Sequence, residues 1–155
     1  MQELHSLGEE RLEVLKILYP WYKEEVFRRR EQMMRLTAFA SAFLVLLLVT
    51  MLAVPSAAHS DVTGALFAIT GVALFTAIFA YLILQQRDRH RMAKQALIEI
   101  ERAMGLYEEG LYATGKSLYP EEWQTAWHAD RSVIVYLTVL TTLTVLVVAA
   151  VLLRP

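Results

Sequence analysis

The sequence predicts an all-α integral membrane protein with three transmembrane helices, an N-terminal amphipathic helix and a cytosolic helical extension of the second span. Of its 155 residues 56% are hydrophobic, and the 20% that are charged are excluded from three long stretches at residues 36–60, 62–86 and 132–153. Each stretch exceeds the roughly 20 residues that cross a hydrocarbon core about 30 Å thick. A charge at the centre of a span costs roughly 2.5–3.5 kcal/mol, so these gaps are typical of membrane spans.

The stretches divide the chain into segments of distinct character. A cytosolic amphipathic and basic helical segment is predicted at 1–35, transmembrane helices at 36–54, 61–84 and 132–153, and a cytosolic helix and loop segment at 85–131.

The N-terminal segment is predicted to contain two helices. Ser6 and Glu9 fit a capping box, and the residues after them recur at helical spacing, as Leu12, Leu15 and Leu18. Pro20 is predicted to interrupt this helix and to begin a second one, which runs into the first span.

The connections between the spans follow from turn and cap residues. Pro55 and the small residues after it predict a tight turn, so spans one and two are predicted to form an antiparallel hairpin. The second helix is predicted to continue past the membrane to a C-terminal cap at Gly105. The loop at 105–120 is too apolar for a free linker and is predicted to pack against something. Pro120 is predicted to begin a helix whose Trp123 and Trp127 anchor it at the membrane interface.

Basic residues predict the orientation, because they are enriched on the cytosolic side. They precede the first span and follow the second, so the N-terminus and residues 85–131 are predicted to be cytosolic and the C-terminus outside, in a bacterial inner membrane. The same side chains are candidates for binding anionic lipid or another anionic ligand. They are Arg28, Arg29, Arg30, Arg87, Arg89 and Arg91.

Several function classes are not expected. A net charge of −1 argues against nucleic acid as a partner, and the chain has no cysteine. The spans lack the ionisable residues of ion relays, and no hydrolase or phosphate-loop motif occurs. The four histidines lie in separate segments, although His90, Asp88 and His128 would be the residues from which a metal site could be assembled. We therefore expect no enzyme activity, no cofactor and no metal.

The cytosolic extension of the second helix carries apolar residues spaced alternately three and four apart, which is typical of a coiled-coil seam. The seam candidates are Ala93, Leu97, Ile100 and Met104, flanked by His90 and Tyr107. The spacing fits two interpretations equally, self-association through this seam or packing against the chain's own N-terminal helix.

Small and hydroxyl residues in the spans indicate close helix packing, either within one chain or between chains. Residue pairs four apart are Ala38 and Ala42, Gly64 and Ala68, Ala73 and Ala77, and Thr76 and Ala80. In the third span, Thr138 and Thr142, with Ser132 near the cytosolic mouth, are candidates for lining a pore. Thr63, Thr70 and Gly71 of the second span are the alternative.

The order of these elements resembles the SLATT-type small bacterial membrane proteins, which are predicted pore-forming effectors. The resemblance covers the basic helix at 24–35, the hairpin and the cytosolic helix at 85–104, whereas the third span departs from it. It implies a membrane effector that forms pores.

Three spans bury little core within one chain, so we expect a homo-oligomer in a bilayer containing anionic lipids. One interpretation is a pore or channel whose cytosolic helices respond to a partner or ligand. The other is a non-conducting scaffold or accessory subunit that docks a soluble cytosolic protein.

Overall fold

The computed structural model describes residues 2–53, 62–125 and 131–153. Helix α1 covers Gln2–Ala53, α2 covers Val62–Ala103, a 3₁₀ helix covers Glu121–Gln124, and α3 covers Ser132–Leu152. The predicted turn at 55–60 lies outside the described residues. No strand forms in the part of the chain that the structure describes, where the only β-type pairing is an isolated bridge between Ala113 and Lys116.

Three helices are long and apolar enough to cross a membrane, as predicted. The mean hydropathy of their most apolar 18-residue windows is 2.4, 2.3 and 2.5, in chain order. Only 17%, 11% and 17% of these windows are buried inside the chain. Most of their apolar surface therefore needs lipid or another protein to cover it.

Helix α1 corrects two predictions about the N-terminus. The helix begins at Gln2, so Ser6 does not cap it, and it continues through Pro20 without the predicted break. Proline removes one backbone hydrogen bond and crowds the carbonyl four residues earlier, here that of Lys16. Lys16 and Pro20 are both exposed, so water can bind the freed carbonyl and the helix can tolerate the proline.

The end of α2 confirms the predicted cap at Gly105. This glycine has φ +71°, and its N–H donates to the carbonyl of Arg102. The N–H of Leu106 donates to the carbonyl of Glu101, which completes a Schellman motif. Any residue with a side chain at position 105 would have to hold its backbone in the left-handed conformation, and its Cβ would clash with Leu111.

By its contacts the chain divides into two units. Unit 1 comprises Met1–Arg30 and Arg87–Asp130, and unit 2 comprises Glu31–Gln86 and Arg131–Pro155. Helices α1 and α2 each contribute to both units, and α3 belongs to unit 2. The three charge-free stretches of the sequence fall entirely in unit 2.

Unit 2 has a core of buried apolar side chains to which all three helices contribute. The side chains that are most completely buried are Met33 and Leu44 of α1, Ile83 of α2, and Leu140 and Val147 of α3. Ala40 of α1 is also fully buried, and a side chain this small lets neighbouring helices approach closely. Stacked and tilted ring pairs, Phe39 with Phe79 and Phe43 with Phe75, join α1 to α2.

The loop at 105–120 packs within unit 1, as predicted. Tyr107 is buried, and the N–H of Tyr119 donates to the carbonyl of Leu106. Arg102 at the end of α2 donates from Nη2 to Oε1 of Gln124 over 2.8 Å. The predicted helix after Pro120 forms only as the short 3₁₀ helix among the described residues, which stop at residue 125 before resuming at 131.

Candidate functional site

The predicted anion-binding arginines all belong to unit 1, and some already have carboxylate partners. Arg28 pairs with Glu24 at 2.7 Å and Arg29 with Glu25 at 2.5 Å, each one helical turn away. The bond to Glu24 is the main cause that raises the pKa of Arg28, which is fully ionised in any case. These pairs reduce the positive charge that α1 presents to a ligand.

The other four predicted arginines differ in exposure. Arg30 and Arg89 are exposed, whereas Arg87 and Arg91 are half-buried. Within the described part of the chain, the Nε atom of Arg91 is buried and has no hydrogen-bond partner. The exposed members are the ones that an anionic surface can reach directly.

The predicted seam on α2 is covered by the chain itself. Ala93 and Ile100 are buried and Leu97 and Met104 are half-buried. His90, at the start of the seam, is 5% exposed, and its Nδ1 lies 3.1 Å from the carbonyl oxygen of Val26 in α1. This burial fits the interpretation in which the seam packs within the chain.

A cluster of tyrosines in unit 1 was not predicted as a site. The hydroxyls of Tyr19 and Tyr119 lie 2.8 Å apart, and the rings of Tyr107 and Tyr119 meet edge to face at 6.0 Å. Tyr107 donates from its hydroxyl to Oε2 of Glu101 over 2.5 Å. Burial and this hydrogen bond raise the pKa of Tyr107. The cluster fixes the loop at 105–120 to the helices of unit 1.

The threonines of α3 fall on two different faces. Thr144 donates to the carbonyl of Leu140 over 2.8 Å, and its oxygen lies 2.7 Å from that of Thr76 in α2. Since one hydroxyl has one proton, Thr76 is the donor in the second bond. Thr138 and Thr142, the predicted pore-lining pair, are exposed, and Ser132 is half-buried. The alternative set in α2, Thr63, Thr70 and Gly71, is exposed as well.

The structure describes one of the two tryptophans that are predicted to anchor the chain at the membrane interface. Trp123 is 53% exposed in the 3₁₀ helix, with its ring 5.3 Å from that of Tyr119. Trp127 lies outside the described residues. An exposed ring beside a tyrosine is compatible with an interfacial position, where amphipathic rings prefer to lie.

Two grooves run along the surface of unit 2 between α1 and α2. The first has a volume of about 510 Å³ and is lined by Gln32, Arg35, Leu36, Phe39, Phe79 and Gln86. The second, of about 290 Å³, is lined only by apolar residues, among them Phe43, Met51, Phe67 and Phe75. The first groove combines an apolar wall with a cationic side chain, whereas the second has no charge.

An exposed apolar stripe lies on the N-terminal part of α1, in unit 1. Val14, Ile17 and Trp21 follow one another at helical spacing and are 54%, 72% and 58% exposed. The cation of Lys23 lies over the ring of Tyr19 at 5.7 Å, close to the stripe in sequence. Apolar side chains this exposed mark a surface for a membrane or another protein.

No group of three or more metal-ligating side chains that could hold an ion occurs among residues 2–53, 62–125 and 131–153. Comparison of the chain with protein-family profiles, with curated proteins and with solved structures finds no match.

Proposed function

We propose that the chain crosses a membrane three times and assembles with copies of itself into a pore. The N-terminus and residues 85–131 lie in the cytosol of this arrangement, because basic residues flank the cytosolic ends of spans one and two. The SLATT-type resemblance carries the same expectation of a bacterial inner-membrane effector. Its cytosolic helices, in unit 1, are the part that responds to a partner or ligand.

One observation carries the proposal of self-assembly. In lipid, helices associate through small residues and hydroxyl groups, because apolar side chains gain nothing by leaving hydrocarbon. Unit 2 fills most of its interior with bulky side chains, buries Ala40 and Thr37 among them, and leaves several other small residues on its outer surface. These exposed small residues are Ala38, Ala42, Ala73 and Ala77.

The filled core supports a pore between chains rather than through one. Met33, Ile83 and Leu140 are at most 1% exposed, so no aqueous path runs along these side chains. A polar path must therefore use an outward face. The exposed face with Thr138 and Thr142 supplies hydroxyls on an otherwise aliphatic helix, and Ser132 lies at its N-terminal end.

The test is ion flux into liposomes containing the full chain, with oligomer mass measured in parallel. We expect Thr138→Val combined with Thr142→Val to reduce flux strongly while oligomer mass stays unchanged, because valine keeps the shape and removes the hydroxyl. The matched control is Thr50→Val, which removes an exposed hydroxyl from α1 that bonds the carbonyl of Leu46. It should leave flux unchanged.

Two results would contradict the proposal. Undiminished flux in the double variant would show that the face with Thr138 and Thr142 does not line the pore. Thr63 and Thr70 would then be the residues to substitute next. A chain that remains monomeric in lipid nanodiscs would refute self-assembly itself. An oligomer that never conducts would favour the second candidate function.

The second candidate is a non-conducting scaffold, and the exposed stripe of Val14, Ile17 and Trp21 favours it. This stripe remains uncovered although the seam on α2 is buried within unit 1. A photoreactive amino acid at position 17 should then crosslink in cells to a distinct soluble protein, and Trp21→Glu should abolish that product. Crosslinks to lipid alone would assign the stripe to the membrane surface.

A further inference from the structure

The larger groove of unit 2 lies where the charged part of α1 gives way to its charge-free part. Its polar residues are Gln32 and Arg35, and the charge-free stretch of the first span begins at residue 36. On α2 the groove ends at Gln86, the last residue of the second charge-free stretch. Both helices thus change from apolar to polar within the groove.

The ring pairs show that the two helices bring their polar ends together. Phe39 pairs with Phe79 at 5.8 Å and Phe43 with Phe75 at 4.6 Å, so α1 and α2 are antiparallel. A step of four residues toward the C-terminus of α1 therefore corresponds to a step of four residues toward the N-terminus of α2. Continuing this register toward the N-terminus of α1 places Gln86 level with Gln32.

The groove is therefore amphipathic along its length. The paired rings of Phe39 and Phe79 form its apolar end, with Leu36 beside them. The guanidinium of Arg35 and the two glutamine amides form its polar end. Given the membrane topology proposed above, the transition falls at the level where headgroups meet hydrocarbon.

We propose that this groove binds one anionic phospholipid, with an acyl chain along Phe39 and Phe79 and the phosphate at Arg35. A guanidinium offers five N–H donors in a planar fork that matches phosphate oxygens. Arg35 also pairs with Glu31 at 2.7 Å, but the two side chains are 76% and 54% exposed. Exposed pairs of this kind contribute little, so the remaining donors can bind a phosphate.

The volume and the apolar lining fit this ligand. A groove of about 510 Å³ falls within the range of roughly 300–1,000 Å³ that small-molecule sites occupy. The second groove of unit 2 has the same pair of helices and a similar ring pair but no charged residue. The second groove provides an internal comparison, because no charged side chain in it can select a lipid by the charge of its headgroup.

The experiment is native mass spectrometry of the full chain in detergent, titrated with phosphatidylglycerol and with phosphatidylcholine of the same acyl composition. We expect one phosphatidylglycerol per chain to bind about fivefold more tightly than phosphatidylcholine, the contribution of one basic residue near a lipid headgroup. Arg35→Gln should abolish this preference.

The control is Lys23→Gln, because Lys23 is also an exposed cation on α1 and does not line the groove. It should retain the preference. Phe39→Ala should weaken binding of both lipids, whereas Phe43→Ala, in the second groove, should not. Phe39→Leu is the substitute if the alanine variant unfolds.

Equal losses in Lys23→Gln and Arg35→Gln would overturn the proposal, since any positive charge on α1 would then suffice. An unchanged preference in Arg35→Gln, or unchanged binding in the Phe39 variants, would overturn it too. The measurement needs neither conduction nor assembly. Failure of the pore proposal would therefore appear in flux and oligomer mass and not in this titration.

Discussion

The hydrogen bond between Tyr107 and Glu101 offers a direct test of what holds unit 1 together. The two side chains are 6% and 8% exposed, so water cannot replace the bond if it is lost. Tyr107→Phe keeps the ring and leaves the Glu101 carboxyl buried without this donor. An unsatisfied buried polar group costs about 1–3 kcal/mol, and more when it is charged.

Tyr112 provides the matched control. Its hydroxyl donates to the carbonyl of Met104 over 2.7 Å, but the side chain is exposed. Water can take the place of that hydroxyl, so Tyr112→Phe should change stability by less than about 0.5 kcal/mol. The two substitutions remove the same atom from similar bonds and differ mainly in burial.

The assay is hydrogen exchange of the backbone amides at 105–125, measured by mass spectrometry on the full chain in detergent or lipid. Local opening of this segment governs exchange, so a loss of 1–3 kcal/mol should accelerate it roughly fivefold to 150-fold. Adding Glu101→Leu to Tyr107→Phe should restore much of the protection. Equal exchange in Tyr107→Phe and Tyr112→Phe would refute the reasoning.

The raised pKa of Tyr107 gives the same segment a pH dependence. Folding favours the neutral phenol, so its contribution to stability is fully present below the unfolded value of about 10. It is lost as the pH rises above 10 toward the higher pKa of the folded protein. Exchange corrected for intrinsic rates should accelerate above pH 10, and less steeply in Tyr107→Phe. An identical slope in both proteins would assign the effect to other groups.

Three further predictions concern topology, anchoring and the seam. Single cysteines at Ser56 and Gln124 should react with an impermeant thiol reagent from opposite sides of the membrane, and reaction from one side would contradict the three-span arrangement. Fluorescence of Trp123 in a Trp21→Phe, Trp127→Phe background should be quenched by lipids brominated near the headgroup, whereas strong iodide quenching alone would place it in water. Ile100→Glu buries a charge within unit 1 and should accelerate exchange at 93–107, while Glu99→Gln on the exposed face should not. If Ile100→Glu lowers oligomer mass without affecting exchange, the seam joins chains.

The sequence predicts those features that local physics decides. Exclusion of charge from three stretches follows from the cost of burying ions, and the structure has three helices of the required length and hydropathy there. Gly105 ends α2 because a left-handed residue is needed at that position. Pro20 shows the limit of such rules, since a single lost hydrogen bond at an exposed position did not end a helix of 52 residues.

The contacts that define the units could not be predicted in the same way. Tyr19 and Tyr119 are 100 positions apart, and no local pattern indicates that their hydroxyls meet. The heptad spacing of α2 predicted an apolar seam, of which Ala93 and Ile100 are buried and Leu97 and Met104 are half-buried. The spacing could not specify what covers this seam, because an apolar stripe packs equally well against the chain's own helix and against a copy.

The threonines of α3 lie on two faces, and these faces have different roles in the proposed pore. Leu140, Thr144 and Val147 share the inward face, where Thr144 is bonded to Thr76, and Thr142 lies two residues and therefore about 200° around the helix from Thr144. The hydroxyl that stabilises one chain and the hydroxyls available for a pore thus occupy different faces. If the proposed pore conducts through Thr138 and Thr142, its conduction is a property of the assembly alone. Flux per chain should fall with oligomer mass on dilution in lipid, and it should do so even when each chain remains fully folded.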